Sequence, residues 1–236
     1  MRIAEIYASL QGEGLLAGTP SGFVRTSGCN LRCAWCDTPF TSWEPVGSER
    51  TAAAVHAEVL ALGVRHVVVT GGEPLLFTDV AELCGLLRRD GLHVTIETAG
   101  TVPFPAQSPR PVADLVSISP KLASSAPPVG TPGGWRDRHE AARRRDDVLI
   151  DLMADGPFQL KFVIASPADL DAACEWLEDL GRARPIDARM VFLMPQGRTP
   201  GELAHTAAWL EPACRGRGFQ FAPRHHIAWF GNTRGT

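Results

Sequence analysis

The sequence predicts an α/β fold in which a mostly parallel sheet carries helices on its outer side. Short apolar runs rich in β-branched residues alternate with segments of helical period, the order that places helical crossovers between parallel strands. Hydrophobic residues form 44% of the 236 residues, enough for one domain over residues 1–236 with a sizeable core. The predicted strands are residues 22–26, 64–69, 92–96, 113–118, 158–164, 188–193 and 218–222. The predicted helices are residues 51–62, 79–89, 140–154, 168–180 and 202–215.

Two of these helices have explicit start signals. Ser166 and Thr199 are each followed by Pro, which suits the first helical position, and by an acid three residues after the cap. Residues 124–137, SSAPPVGTPGGWRD, are instead too rich in Pro and Gly for a regular element. We expect that segment to be an irregular excursion within the domain.

Charge and hydropathy exclude several classes of protein. The chain has 23 Lys and Arg against 26 Asp and Glu, a net charge of −3, so it lacks the basic field that grips nucleic acid. The first residues include no apolar run of signal-peptide length, and no stretch approaches the roughly 20 apolar residues of a membrane helix. We therefore expect a cytoplasmic protein with neither nucleic acid nor a membrane as a partner.

The unusual polar residues of the chain follow predicted strands. They occupy residues 25–36, 70–74, 97–101 and 119–121, and Gln196 follows the strand at 188–193. Because the carboxyl ends of parallel strands meet at one edge of a sheet, these segments are expected to lie close together. The sequence therefore predicts that one face of the fold carries the chemistry.

Three of the six cysteines, Cys29, Cys33 and Cys36, fall within eight residues after the first predicted strand. A disulfide framework is disfavoured, because three is an odd number and the chain has a cytosolic character. Zinc would normally take a fourth Cys or His, which only the fold could bring from a distant position. The three thiolates also suit a [4Fe–4S] cluster with one iron free of protein ligands. Both kinds of metal site are compatible with the residues alone.

The spacing CxxxCxxC, with Trp35 directly before the third cysteine, resembles the signature of radical S-adenosylmethionine (SAM) enzymes. The segment Gly71-Gly72-Glu73-Pro74, after the strand at 64–69, is similar to the SAM-binding GGEP segment of the same superfamily. The resemblance implies an incomplete (β/α) barrel of radical SAM type. It also implies a [4Fe–4S] cluster on the three cysteines, with SAM bound at the open iron.

Other segments resemble one family of this superfamily more closely. Those similar to the 7-carboxy-7-deazaguanine synthase family are residues 7–14, 23–31, 36–38, 97–101, 119–121 and 231–236. The similarity runs nearly end to end and is weakest over residues 124–155. It implies conversion of 6-carboxy-5,6,7,8-tetrahydropterin to 7-carboxy-7-deazaguanine with loss of ammonia, on the pathway to queuosine and other deazapurines.

The resemblance implies a set of substrate-binding residues. They are Leu10, Gln11, Gly12, Glu13, Arg25, Thr70, Glu97, His226 and Thr236. Arg25 is expected to face the substrate carboxylate, because a planar guanidinium can hold it through two charge-assisted hydrogen bonds. Gln11 and Glu13 offer an amide and a carboxylate for the donors and acceptors of a pterin edge. Of two adjacent histidines, the resemblance aligns His226 with the family's histidine near the substrate, and His225 is the adjacent alternative.

A second implied set of residues binds SAM. Its members are Trp35, Cys36, Asp37, Gly72, Glu73, Ser119, Pro120, Lys121 and Gln196. Thr38 has a separate implied role, because the family uses the threonine of this CDT segment to bind a Mg²⁺ ion that also holds the substrate. Mg²⁺ keeps several waters and takes few protein oxygens, so one hydroxyl can suffice.

The implied chemistry is a radical ring contraction. The reduced cluster cleaves SAM, the resulting carbon radical takes a hydrogen atom from the pterin, and the ring contracts with release of ammonia. No side chain is assigned as a catalytic group. A flavodoxin- or ferredoxin-like protein is the expected electron donor, and a homodimer is the expected assembly. The alternatives are another small radical SAM enzyme of the glycyl-radical activating type, or a structural zinc-binding module.

Overall fold

The computed structural model describes residues 1–105, 107–231 and 233–236, and within them nine strands form one sheet. The strands are β1 (Arg2–Leu10), β2 (Pro20–Thr26), β3 (Ser48–Glu49), β4 (His66–Gly71), β5 (His93–Thr98), β6 (Leu115–Ile118), β7 (Phe158–Ile164), β8 (Val191–Pro195) and β9 (Gln220–Phe221). Their order across the sheet is β3-β1-β2-β4-β5-β6-β7-β8-β9. Neighbours from β2 onward pair in parallel, so the predicted mostly parallel, incomplete barrel is confirmed.

Strand β1 is a feature that the sequence pattern does not predict. It pairs antiparallel with β2, so that Glu5 lies opposite Arg25 and Tyr7 opposite Phe23. Alternate residues of β1 face a polar interior, and the segment RIAEIYASL therefore lacks the apolar run that marks the parallel strands. The short strand β3 continues this antiparallel edge.

The predicted strands are present, β7 with the predicted bounds 158–164 and the others with shifted ends. The strand predicted at 188–193 begins later, because Ala188–Met190 form a 3₁₀ turn capped by the carboxylate of Asp187. The one predicted at 218–222 is only two residues long. Element ends are the least reliable part of any pattern-based prediction, since one or two hydrogen bonds decide them.

The helices of the described chain lie outside the sheet. They are α1 (Pro39–Ser42), α2 (Ala52–Ala61), α3 (Asp79–Arg89), α4 (Trp135–Arg143), α5 (Asp146–Ala154), α6 (Pro167–Ala183), α7 (Pro200–Arg217) and α8 (His225–Phe230). Both start signals are confirmed. The Ser166 hydroxyl accepts the N–H of Asp169, and Thr199 with Glu202 forms a complete capping box. None of these helices is long and apolar enough to cross a membrane.

The single helix predicted at 140–154 is wrong, because the segment contains two helices. The backbone leaves the helical region at Arg144 and Arg145, which separate α4 from α5. The Arg144 side chain pairs with Asp146 at 2.9 Å and Arg145 pairs with Asp147 at 2.7 Å, so both arginines bind the start of α5. Helix α4 also begins at Trp135, inside the segment predicted to be irregular throughout.

Candidate active site

The carboxyl ends of the strands surround a cavity of about 500 Å³. Most of the predicted site residues line it: Leu10, Gln11, Gly12, Glu13, Arg25, Cys29, Cys33, Trp35, Cys36, Asp37, Thr38, Thr70, Gly72, Glu97, Ser119, Lys121, His226 and Thr236. Three predicted SAM contacts, Glu73, Pro120 and Gln196, do not line it. The fold therefore brings the implied substrate, SAM and metal residues together in one place.

Matching positions on neighbouring strands carry the polar residues of this cavity. Arg25 of β2 lies opposite Glu5 of β1 and Thr70 of β4, and Glu97 of β5 lies opposite Ser117 of β6. Side chains alternate between the two faces of a strand, so residues paired in register point to the same side. These polar side chains therefore share the interior face of the sheet, and apolar residues of the same strands pack into the core on the other face.

Residues 27–38, which we call the cysteine loop, connect β2 to α1 and carry Cys29, Cys33 and Cys36. The three side chains pack near Ala99, and all line the cavity. Burial raises the pKa of the Cys29 and Cys33 thiols to about 12, so both are neutral without a nearby positive charge. A metal centre supplies such a charge and converts thiols to thiolates.

Two residues outside the cysteine loop, His139 of α4 and Ser125, hold it in place. His139 is fully buried, and its Nδ1 accepts the backbone N–H of Arg32 at 3.3 Å. Its Nε2 lies 2.9 Å from Ser125 Oγ, whose hydroxyl already donates to the carbonyl of Leu122, so Nε2 carries the proton. The carbonyl of Ser125 accepts the N–H of Ala34 at 2.9 Å. Burial lowers the pKa of His139 to about 4, in agreement with a neutral ring.

The double glycine after β4 lies directly against the cysteine loop. A side chain at Gly72 would collide with the backbone carbonyl oxygens of Gly28 and Thr41, so this close approach requires glycine. The neighbouring Glu73 is fully buried, and it accepts the hydroxyl of Thr98 at 2.8 Å as well as two backbone N–H groups. Protein donors thus hold the Glu73 carboxylate and fix the turn, and the predicted SAM contact of Glu73 stays a prediction.

Pro120 and Gln196 also do not line the cavity, and their predicted SAM contacts stay predictions. Pro120 is buried, whereas its neighbours Ser119 and Lys121 face the cavity, with Lys121 Nζ donating to Ser119 Oγ at 2.7 Å. The backbone N–H of Gln196 donates to the carbonyl of Ile164 and so extends the pairing of β7 with β8. Alternation along the extended backbone explains why Pro120 points away from the site while the residues beside it point in.

A group of four charged residues, which we call the carboxylate wall, also lines the cavity: Glu13, Glu97, Lys161 and Arg224. Lys161 Nζ lies 2.7 Å from Glu97 Oε1 and 3.2 Å from Glu13 Oε2. Arg224 donates to the other oxygen of Glu13 at 3.0 Å and also pairs with Asp37 of the cysteine loop. Burial alone would raise the pKa of Glu13, but Lys161 and Arg224 hold it well below its usual range.

Arg25 lines the cavity together with Glu5 and Tyr7 of β1. Its Nε donates to Glu5 Oε1 at 2.7 Å, and a terminal nitrogen donates to the Tyr7 hydroxyl at 2.6 Å. The second oxygen of Glu5 accepts Arg234 Nε at 2.8 Å. Glu5 therefore retains a cation if Arg25 turns toward a ligand, which fits the predicted role of Arg25 as a carboxylate receptor.

The C-terminal segment covers one side of the cavity through α8. His226 lines the cavity, and its Nδ1 lies 3.8 Å from Glu13 Oε1. His225 instead stacks on Trp229, with the ring centroids 4.9 Å apart. The arrangement agrees with the preference for His226 as the residue near the substrate. Asn232, part of the tail motif, lies outside the described residues.

The chain resembles known proteins in sequence over almost its whole length. Residues 23–123 match the family model of the radical SAM superfamily. The chain is 43% identical to 7-carboxy-7-deazaguanine synthase of Rhodopirellula baltica, over 99% of this chain and 88% of that protein. It is 44% identical to 7-carboxy-7-deazaguanine synthase of Halobacterium salinarum, over 96% and 89% of the two chains. The chain belongs to the 7-carboxy-7-deazaguanine synthase family.

The fold of this family member also resembles a solved structure. The crystal structure of QueE from Escherichia coli superposes with a TM-score of 0.68 at 24% sequence identity, over 95% of this chain and 94% of that chain. At this level of identity the likeness concerns the fold. The family is one of radical SAM lyases, so it implies a [4Fe–4S] cluster and SAM as cofactors.

The cysteine loop fits the cluster that the family implies. It offers three thiols, the number that leaves one of four irons free for SAM, and all of them border the cavity. In the described parts of the chain, no group of three or more His, Cys, Asp or Glu side chains is arranged to hold a single metal ion. Among the same residues, Trp35 Nε1 is buried without a hydrogen-bond partner. Such an unpaired donor within the cysteine loop is a group that a bound ligand can satisfy.

Thr38 has a hydroxyl that the local structure leaves available. It is the residue before α1, but its side chain makes no capping hydrogen bond. Its Oγ1 accepts the hydroxyl of Thr41 at 3.3 Å and lies 3.9 Å from Cys36 Sγ. Thr38 faces the cavity, so its remaining lone pair can bind a hard cation there.

Sequence reasoning missed several residues of the cavity, above all Lys161 and Arg224. A signal for Lys161 exists in the strand FQLKFVI, where Gln159 and Lys161 are two residues apart within an apolar run. Polar residues with period two in a buried parallel strand point to the interior of a barrel. Arg224 follows the last short strand and has no comparable signal, because its partners Glu13 and Asp37 are remote in sequence.

Proposed function

We propose that this chain is a 7-carboxy-7-deazaguanine synthase, which converts 6-carboxy-5,6,7,8-tetrahydropterin to 7-carboxy-7-deazaguanine and releases ammonia. The observation that carries the proposal is that the cysteine loop and the carboxylate wall border the same cavity. The three cysteines of the loop are what a radical SAM enzyme requires. The carboxylate wall and Arg25 are suited to a small heterocycle that bears both N–H donors and a carboxylate.

The cofactors supply the reactive species, and the chain supplies the placement. When bound, the reduced [4Fe–4S] cluster and SAM provide a carbon radical that removes a hydrogen atom from the substrate. Cys29, Cys33 and Cys36 would hold the cluster. Ser119 and Lys121, which the family resemblance implies as SAM contacts, line the cavity, and the hydroxyl and ammonium of this pair offer hydrogen bonds to a polar ligand.

In this proposal, the substrate is oriented by Arg25 and by the carboxylate wall, which line the same cavity. Arg25 can exchange its bond to Glu5 for a paired hydrogen bond to the substrate carboxylate, since Arg234 stays on Glu5. The oxygens of Glu13 and Glu97 can accept the N–H groups of the pterin ring. A substrate bound through both its carboxylate and its ring N–H groups has its reacting carbon in a fixed position. This fixed position lowers the entropic cost of hydrogen-atom removal.

The proposal includes Mg²⁺ on Thr38, a homodimer, a cytoplasmic location, and a flavodoxin- or ferredoxin-like electron donor. The available hydroxyl of Thr38 supports the metal, because Mg²⁺ prefers oxygen ligands. Removal of divalent cations with a chelator should lower product formation, and added Mg²⁺ should restore it. Thr38→Ala should keep the cluster but lose most of the response to Mg²⁺. Equal Mg²⁺ responses in the two proteins would contradict this assignment of the metal.

The activity is tested by anaerobic incubation with SAM, Mg²⁺, a reductant and 6-carboxy-5,6,7,8-tetrahydropterin. We expect 7-carboxy-7-deazaguanine and ammonia as products, and an anaerobically purified protein that is brown and contains iron and sulfide. A colourless protein that contains zinc would indicate a structural metal module instead. An intact cluster without any deazaguanine product would exclude the proposed reaction.

A further inference from the structure

The lysines of this chain have an unusual distribution. The sequence contains 21 arginines but only two lysines, Lys121 and Lys161. Both lysines line the cavity, whereas among the described residues three of the 21 arginines, Arg25, Arg224 and Arg234, do so. A chain that uses arginine almost everywhere else keeps a lysine at 161, which points to a requirement for a compact ammonium rather than for positive charge alone.

Lys161 lies deep in the carboxylate wall. Its side chain is 4% exposed and projects from the middle of β7. The ammonium lies 2.7 Å from Glu97 and 3.2 Å from Glu13, residues that are 64 and 148 positions away in the sequence. Lys161 therefore joins two segments that nothing else in this wall connects directly.

The position of Lys161 matters because two carboxylates border the same small cavity. Without a cation between them they would repel each other, and desolvation would favour protonation of one of them. With Lys161 in place, Glu97 Oε2 accepts the hydroxyl of Thr70 at 3.1 Å and Glu13 Oε1 accepts Arg224. Each carboxylate oxygen has two lone pairs, so both groups retain capacity to accept hydrogen bonds from a ligand.

We propose that Lys161 is a positioning residue for substrate recognition, which holds the carboxylates of Glu13 and Glu97 side by side to accept the N–H groups of an amino-substituted pyrimidine edge. This inference rests on the proposed function and adds a specificity determinant to it. The ammonium itself takes no part in the reaction. A guanidinium is longer and planar, and it cannot occupy the point between the two carboxylates in the same way.

The first test compares the wild type with Lys161→Met, which keeps an unbranched side chain one atom shorter but removes its charge. The KM for the pterin should rise about 10- to 100-fold, the size expected for the loss of hydrogen bonds to charged groups. Iron content and SAM cleavage in the absence of the pterin should remain within about twofold of the wild type, because the cysteine loop is intact. Arg110→Met is the matched control, since Arg110 pairs with Asp151 and Asp155 on the surface away from the cavity.

The second test asks whether Lys161 acts through the amino edge of the substrate. The analogue in which oxygen replaces the 2-amino group should bind the wild type much more weakly than the substrate does, and Lys161→Met should discriminate far less between the two. Additive losses from the variant and the analogue would overturn the inference, as would a wild-type KM in Lys161→Met. Lys161→Arg is expected to retain the defect, and full recovery in that variant would contradict the need for a compact ammonium.

Two further outcomes are informative. If Lys161→Met loses cluster and SAM cleavage together with substrate binding, the residue is merely structural and the inference is wrong. If Lys161→Met does not fold, Lys161→Gln, which keeps one pair of N–H donors, should show the same increase in KM. Failure of the proposed function would look different, because the wild type itself would then neither bind the pterin nor form the deazaguanine.

Discussion

The two walls of the cavity are built in different ways. The cysteine loop is one continuous segment, and many of its hydrogen bonds join residues fewer than seven positions apart, as between Cys36 and Ser42. The carboxylate wall joins residues that are 64, 148 and 211 positions apart. A centre that must hold the same metal cluster can be encoded in a local motif. A pocket shaped for one substrate is assembled from whichever residues the fold brings together.

The largest effect should come from a substitution in the cysteine loop, the wall that is one continuous segment. Cys33→Ser replaces one of three thiols and should abolish cluster assembly, SAM cleavage and product formation, by at least about a thousandfold in rate, because no other reactive group is available. Cluster content is measured by iron and sulfide analysis, and cleavage by release of 5′-deoxyadenosine. Cys174→Ser, on α6, is the matched control and should behave as the wild type. Normal SAM cleavage in Cys33→Ser would show that the cysteine loop is not the cluster site.

The contrast between the walls explains what the sequence predicts. The spacing of Cys29, Cys33 and Cys36 is a local signal, and the fold then only has to place this loop beside Gly72. The apolar runs predict the parallel strands for a similar reason. The apolar residues of a buried strand are consecutive in the sequence, so the signal for each strand is also local. Arg224 is recognised as a site residue only when the end of the chain is seen beside Glu13, whereas Lys161 has the period-two polar pattern of β7 as its one sequence signal.

The errors in the predicted elements have related causes. The strand β1 is missed because its inward residues, Glu5 and Tyr7, are polar, so its burial leaves no apolar run. The prediction of one helix at 140–154 takes no account of the side chains of Arg144 and Arg145. These arginines lie between the two observed helices and pair with Asp146 and Asp147 at the start of the second helix. In each case the structure is decided by side-chain interactions that the periodicity of apolar residues does not show.

A second variant breaks the connection between the walls. Arg224→Met removes the cation that Glu13 shares with Asp37 of the cysteine loop, and it should cost about 3 kcal/mol of the free energy of unfolding, since it leaves two carboxylates short of a partner in a partly buried site. Denaturant titration measures this loss. Arg234→Met is the control, because Arg234 is about half exposed and its partner Glu5 keeps Arg25. It should cost at most about 1 kcal/mol.

The activity of Arg224→Met sharpens the comparison further. Because Arg224 contacts both walls, the variant should show a raised KM for the pterin and also a changed rate of SAM cleavage. Lys161→Met, by contrast, should affect only the pterin. If the two variants showed the same KM for the pterin and the same rate of SAM cleavage, the cysteine loop and the carboxylate wall would not act independently.

The smallest expected effect concerns His139, the residue that ties the cysteine loop to a distant helix. Burial lowers the pKa of His139 to about 4 from an ordinary value near 6.5, so between these values the unfolded chain binds a proton that the folded chain does not. Acidification through this window therefore favours the unfolded state. From pH 7 to pH 5 the folded protein should lose about 2 kcal/mol through this residue alone.

The measurement compares the metal-free wild type with His139→Asn, whose side-chain oxygen can take the place of Nδ1 and accept the N–H of Arg32. Denaturant unfolding at pH 7 and pH 5 should show a larger loss in the wild type, by about 2 kcal/mol, because asparagine does not titrate. Cluster loading of His139→Asn should remain close to the wild type, whereas His139→Leu should load poorly. Equal pH dependence in the wild type and His139→Asn would mean that His139 is not held neutral. Normal loading of His139→Leu would mean that the cysteine loop depends on local contacts alone, which would make the contrast between the two walls complete.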